Sequence, residues 1–253
     1  MDELKEKLTK FYNKFNENKR LDTRHGQVEF LTSMKYIHQY LKDGDQIVDI
    51  GAGPGRYSLA LKAEGYDVTA VELTRPNIGM LRAKDKEIKI VEANATDLSM
   101  FEDDHFDVAI LFGPMYHLYK KEDRIKALSE AKRICKRTLF VTYIMNEYAI
   151  IEYAFKGGNY LLVKDKIDED FRINDPDGLF IQSRIEEIDE LNSICGLKLL
   201  KRFASDGPTD YMRSYINAMD EETFEAYLSF HQKTCERKEL LGASSHIVDI
   251  LQK

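Results

Sequence analysis

Apolar residues recur at helical spacing over residues 1–18, where Leu4, Leu8, Phe11, Tyr12 and Phe15 share one side of a charged segment. A second helical pattern covers about 27–42, with Phe30, Leu31, Met34, Ile37 and Leu41 in step, and closes at the turn Lys42-Asp43-Gly44. From there short strand-like runs alternate with helical ones. Strands are expected over 46–50, 67–71, 88–92, 106–111 and 138–143, and helices over 55–64, 76–84 and 121–135. Such alternation predicts an α/β fold with a parallel sheet wrapped by helices on both faces. After Tyr143 the rhythm breaks. Helical patterns near 147–156 and 184–195 flank an irregular acidic stretch from Lys164 to Gly178, and a strand from Leu197 to Phe203, a helix over about 221–237 and a last strand over 246–251 follow.

The run Val48-Asp49-Ile50-Gly51-Ala52-Gly53-Pro54-Gly55-Arg56-Tyr57 carries the first strand through a glycine turn into a helix. Glycines there let backbone approach a ligand that a Cβ would keep away. A dinucleotide fingerprint places its third glycine where Arg56 stands, and the last glycine arrives one residue early at Gly55. Glu72 ends the next apolar run, where its carboxylate can accept from both hydroxyls of a ribose. A ribose reader without a pyrophosphate cradle points to a nucleoside ligand lacking phosphates and disfavours an NAD-dependent oxidoreductase. The plain alternatives are a tight turn for the glycines and a solvated carboxylate for Glu72.

Composition narrows this picture. With 253 residues and 43% apolar side chains, the chain fits one α/β domain over 1–253 better than two. The charged start lacks the apolar core of a signal peptide, and no apolar run approaches the length of a bilayer span. Cys135, Cys195 and Cys235 are far apart with no CxxC pair, so no metal ligand set is assigned and reduced thiols in a cytoplasmic protein are expected. A formal charge of −7 argues against a general phosphate-binding surface, which puts nucleic acid behind a small molecule as partner. Oligomeric state is not legible.

Four segments together resemble the class I S-adenosylmethionine-dependent methyltransferases. They are the turn from Asp49 to Gly55, the acidic Glu72, the stretch Glu92-Ala93-Asn94-Ala95-Thr96-Asp97-Leu98, and the strand Phe106 to Leu111 leading into Phe112-Gly113-Pro114-Met115-Tyr116-His117-Leu118. The resemblance implies a Rossmann-like sheet of seven mostly parallel strands with helices on both faces. Its last strand would run antiparallel between the fifth and sixth. It further implies an N-terminal cap over 1–26, a cofactor-binding core over 27–145, and insertions over 145–183 and 205–243 forming an acceptor lid. The implied reaction is transfer of a methyl group from S-adenosylmethionine to a small molecule, leaving S-adenosylhomocysteine. An RNA methyltransferase and a silent S-adenosylmethionine-binding regulator are the alternatives.

By that resemblance the cofactor is held by Asp49, Gly51, Ala52, Gly53, Gly55, Glu72, Leu73, Asn94, Ala95 and Phe112. Asp49 would reach the ammonium or cap the turn, and Leu73 would face adenine or the core. Asn94, where many relatives carry Asp, would accept from the adenine amino group while the Ala95 N–H donates to the ring. Asp97 competes for that place, or caps a turn. Arg24, in a polar cluster with Arg20 and His25, would pair with a carboxylate or stay solvated. Tyr116 and His117 are the catalytic candidates. His117 is the best base because its ordinary pKa lies near neutrality, against the commoner structural role of a lone histidine. Tyr143, Asn146 and Tyr148 are further candidates, and Phe155, Tyr160, Phe171 and Phe180 would line an apolar acceptor pocket or pack a lid.

Overall fold

The computed structural model describes residues 2–13 and 22–253; Phe15 and Arg20 lie outside that range. Strands β1 (Gln46–Ile50), β2 (Asp67–Glu72), β3 (Lys89–Glu92), β4 (Phe106–Leu111) and β5 (Cys135–Met145) are mutually parallel. A two-residue strand β6 (Gln182–Ser183) adds to the end of β5, and β7 (Lys198–Ala204) and β8 (His246–Gln252) complete the sheet in the order β3-β2-β1-β4-β5-β8-β7. Strand β8 runs antiparallel to both neighbours, as the resemblance implies. Strand β6 is an addition to the seven strands expected.

The chain takes this form because its central strands are apolar on both sides. Ile47, Val48 and Ile50 of β1 and Val108 to Leu111 of β4 are fully buried, the pattern of parallel strands covered by helices on each face. The helices are α1 (Asp2–Tyr12), α2 (Arg24–His38), α3 (Arg56–Ala63), α4 (Arg75–Lys84), α5 (Lys121–Ile134), α6 (Ile185–Ile194), α7 (Arg213–Ala218) and α8 (Glu221–Thr234), with shorter turns between them. Pro76 opens α4, where a missing N–H costs nothing. Asp220 starts α8 by accepting from the Thr223 N–H at 2.8 Å.

Three elements differ from expectation. Helix α5 stops at Ile134 and β5 begins at once with Cys135. The pattern near 147–156 becomes one α turn, Asn146–Ala149, that relaxes into the π-helical Ile150–Lys156. Wide turns of this kind are rare and cluster at functional sites. Asn146, buried, pins the insertion by donating to the Phe171 carbonyl at 2.9 Å and accepting from the Ile173 N–H at 2.9 Å. Among the described residues no helix is long and apolar enough to cross a membrane, and all three cysteines are buried and free.

Strand order reverses beside β1, whose neighbours β2 and β4 lead to opposite sides of the sheet. Beyond the carboxyl ends of these strands such folds leave a crevice. Here α1 and the insertion roof it: Phe11 of α1 meets Phe180 edge to face, with ring centroids 5.4 Å apart.

Candidate active site

A cavity of about 850 Å³ fills that crevice, near the upper end of the size range of small-molecule sites. Its floor is the β1 turn. Gly51, Gly53 and Gly55 all adopt the left-handed region, with φ of +80°, +56° and +87°, which disfavours a side chain at each, and two of them would collide as well. A Cβ at Gly51 would lie 2.5 Å from the Pro114 ring, and one at Gly55 would lie 2.1 Å from Leu81 of α4. At Gly53 it would meet nothing within 4 Å. Gly51 and Gly55 therefore serve packing, while Gly53 keeps the cavity wall open.

Glu72, at the end of β2, is 5% exposed. Its Oε2 accepts from the Gly53 N–H at 2.8 Å, and its Oε1 from both the N–H and hydroxyl of Thr74 at 2.8 Å. The side chain is thus locked to the glycine turn. An ionised carboxylate offers about four acceptor positions, so capacity remains for a ligand donor. Asp49 lies deeper, at 1% exposure, and accepts from the Ser58 hydroxyl. Burial pushes its carboxyl up to about 6 against the opposing pull of the Ser58 hydroxyl and amide, and the Glu72 charge adds to the rise.

Ala52, Leu73, Asn94, Ala95, Phe112, Tyr116 and His117 also line the cavity, so the structure brings together most residues singled out in the sequence. Asn94 spends part of its acceptor capacity on the Thr96 N–H at 3.1 Å. Three expected residues are not there, and the first, Gly55, packs on Leu81 behind the turn. Asp97 is exposed and accepts from the Ser99 N–H at 3.3 Å, closing a turn instead of facing the cavity. Arg24 donates to the Met219 carbonyl and to Glu221 at 2.9 Å, and sits 5.5 Å from the Phe224 ring centroid. It ties α2 to α8. Phe180 lines the cavity, whereas Phe155 stacks on Tyr160 and lies tilted against Phe171, all three outside it. Tyr143 is buried in the core, away from the wall.

His117 is buried with both ring nitrogens engaged: Nδ1 donates to the Leu179 carbonyl at 2.9 Å, and Nε2 accepts from the Tyr12 hydroxyl at 3.0 Å. The carbonyl can only accept, which fixes this tautomer. Burial lowers its pKa to about 4, with the Leu179 bond opposing only in part. The ring is neutral at pH 7 and staples α1 to the residues below it.

Several lining residues had no local signature. Asn77 of α4 is 2% exposed, and its Oδ1 accepts no hydrogen bond in the structure. A buried acceptor without a donor is costly, so a ligand donor there would relieve it. Across the cavity, Tyr148 donates to Asp210 Oδ2 at 2.9 Å, and Arg213 reaches Asp210 through two N–H groups at 3.2 and 2.9 Å. Burial opposes ionisation of Asp210, but the Arg213 guanidinium holds its carboxyl down at about 2. His246, at the start of β8, donates from Nδ1 to buried Asp206 at 2.7 Å, with Glu29 of α2 3.9 Å away.

Residues 48–140 match the family described as a methyltransferase domain. Together with the strand order and the β1 turn, this match supports a class I S-adenosylmethionine-dependent methyltransferase. Its cofactor is S-adenosylmethionine. This methyltransferase is 34% identical over 88 residues to the cypemycin N-terminal methyltransferase of a Streptomyces species, a match spanning 34% of this chain and 35% of that protein. It is 26% identical over 247 residues, 92% of this chain and 90% of the relative, to an uncharacterised protein of Methanocaldococcus jannaschii. A crystal structure of a S-adenosylmethionine-dependent methyltransferase from Methanosarcina mazei shares the fold at 19% identity and a TM-score of 0.60, covering 86% of this chain and 96% of that one.

Proposed function

We propose that this methyltransferase acts on a small molecule enclosed in the cavity. The observation that carries the reading is Glu72, buried and tied to the Gly53 N–H at the strand-order reversal, with open space where a Gly53 side chain would stand. In this reading Glu72 accepts from the ribose hydroxyls, Gly51, Ala52 and Gly53 pass close to the ligand, and Asp49 faces the ammonium. Gly55 supports the turn from behind through its packing on Leu81. Leu73 and Phe112 offer apolar contact to adenine, and Asn94, the Ala95 N–H and Asn77 its polar contacts.

The cofactor supplies an activated methyl group on a sulfonium. The protein's part is alignment of the acceptor and exclusion of water. Leu4, Leu8, Phe11 and Tyr12 of α1 line the cavity from above, with Tyr153 and Phe180 of the insertion beside them. Such a roof suits a small acceptor better than a folded RNA, and the net charge of −7 favours the same choice. Three buried thiols suit a reducing, cytoplasmic setting.

Titration calorimetry with S-adenosylhomocysteine tests the site. Glu72→Ala is expected to weaken binding by about 1–3 kcal/mol, the scale for losing hydrogen bonds to a charged group. Unchanged affinity would reject the ribose assignment. Binding without acceptor-dependent product release from a metabolite extract would favour the silent regulator.

A further inference from the structure

We propose that the exposed face of the insertion is a docking surface for a basic, leucine-rich helical segment of a partner protein. Its apolar part is contiguous. Phe155 of the π-helical turn stacks on Tyr160 with ring centroids 5.3 Å apart, and it lies 6.2 Å from the Phe171 ring. Next along the chain, Leu161 and Leu162 are 76% and 82% exposed, in a turn that buries none of its residues. Single exposed apolar side chains are ordinary, whereas a cluster of them on a protein surface marks a contact site. The fold also holds this cluster outward. Phe171 adopts φ +57°, an outlier for a bulky side chain. Its N–H donates to the Asp168 carbonyl at 3.1 Å and its carbonyl accepts from buried Asn146 at 2.9 Å, so the turn is fixed from the interior. Backbone strain of this kind clusters at functional sites. Tyr153, exposed on the same π-helical turn as Phe155, lines the cavity and joins this face to the cavity mouth.

Charge selects the occupant. Over residues 150–180 carboxylates outnumber lysine and arginine by seven to four. Three of the cations are already engaged: Lys156 pairs with Glu152 at 2.8 Å, Lys166 with Asp175 at 2.7 Å and Arg172 with Glu186 at 3.1 Å. By contrast Asp165, Asp168, Glu169 and Asp170, leading up to Phe171, are exposed and form no ion pair among the described residues. A second copy of the chain would bring two acidic turns together, and an anionic lipid surface would be repelled. A helix with leucines along one side and lysine or arginine beside them complements both the apolar cluster and the acidic turn.

Fluorescence anisotropy with labelled amphipathic helical peptides tests this, using one of leucine and lysine, one with glutamate in place of lysine, and one with serine in place of leucine. Only the leucine-lysine peptide is expected to bind. Its affinity should fall by roughly tenfold or more in Leu161→Ser/Leu162→Ser and in Glu169→Lys/Asp170→Lys, the loss typical of central contact residues. Two controls outside the insertion, Phe230→Ser and Glu102→Lys/Glu225→Lys, alter exposed residues and should leave it unchanged. All four variants should melt with the parent and keep its S-adenosylhomocysteine affinity. No binding of the leucine-lysine peptide, equally tight binding of either other peptide, or equal losses in insertion and control variants would overturn the proposal. Attachment to phosphatidylcholine vesicles, or dimerisation in sedimentation runs, that Leu161→Ser/Leu162→Ser abolishes would overturn it too, assigning the face to a membrane or a second copy.

Discussion

Asp49→Asn is expected to make the ligand-free protein more stable at neutral pH while weakening its hold on the cofactor. Asp49 lies buried at the end of β1, and its carboxyl titrates at about 6 instead of 3.8, chiefly through lost hydration. An acid whose folded pKa is raised binds more protons folded than unfolded between those two values, so stability falls as pH rises through the window. The stabilising contribution is complete below 3.8 and gone above about 6. At 1.36 kcal/mol per pH unit this is roughly 3 kcal/mol, worth about 6–12 °C in melting temperature for a chain of this size. Asparagine keeps an acceptor for Ser58 and carries no charge. Thermal and urea unfolding of both proteins from pH 4 to pH 8 should show curves converging at the acid end and separating by roughly that amount at pH 7. Calorimetry should show weaker binding of S-adenosylhomocysteine, whose ammonium compensates the native carboxylate in the proposed site. A variant less stable than the parent at pH 7, or offset equally at every pH, would refute the burial argument.

Three further outcomes follow from the same geometry. Gly53→Val should lose cofactor affinity by more than tenfold in its folded fraction as well as some stability, because φ is +56° there and the position lines the cavity, whereas Gly55→Ala should lose stability by about 1–3 kcal/mol through backbone strain and overpacking on Leu81 with affinity of the folded protein kept; paired melting and binding measurements distinguish them. His117, held at about 4, favours the folded state above its ordinary 6.5, and that stability drains away as pH falls from 6.5 toward 4. A His117→Gln variant should flatten this acid limb in unfolding curves, and an unchanged limb would contradict the burial assigned to the ring. Asp97→Ala should leave S-adenosylhomocysteine affinity within a factor of two, since the carboxylate is exposed and turned to Ser99.

The site divides into a part written locally and a part assembled at a distance. The β1 turn, Glu72 and the segment at Asn94 were legible because each function there depends on neighbouring residues at the end of a strand. Alternation of apolar runs likewise specified the sheet, since strands buried on both faces leave a continuous apolar record. Yet the pattern of glycines looks uniform in the sequence, and only packing distinguishes Gly53, beside empty space, from Gly51 and Gly55, pressed against Pro114 and Leu81. Asp97 competes with Asn94 as a letter and ranks second because it also reads as a helix cap, and the structure turns it outward to the Ser99 N–H. His117 reads as a base until burial, Leu179 and Tyr12 occupy it, and Arg24 reads as a cofactor ligand until α8 arrives beside it. Glu29, Asp210 and His246 gave no signal at all. They come from α2 and from far along the chain, and the antiparallel insertion of β8 brings His246 to the cavity. Sequence determined the strand-and-turn chemistry proposed to grip a nucleoside, because that chemistry is local. Tertiary structure decided which charges line the cavity, because those charges meet only when distant segments pack.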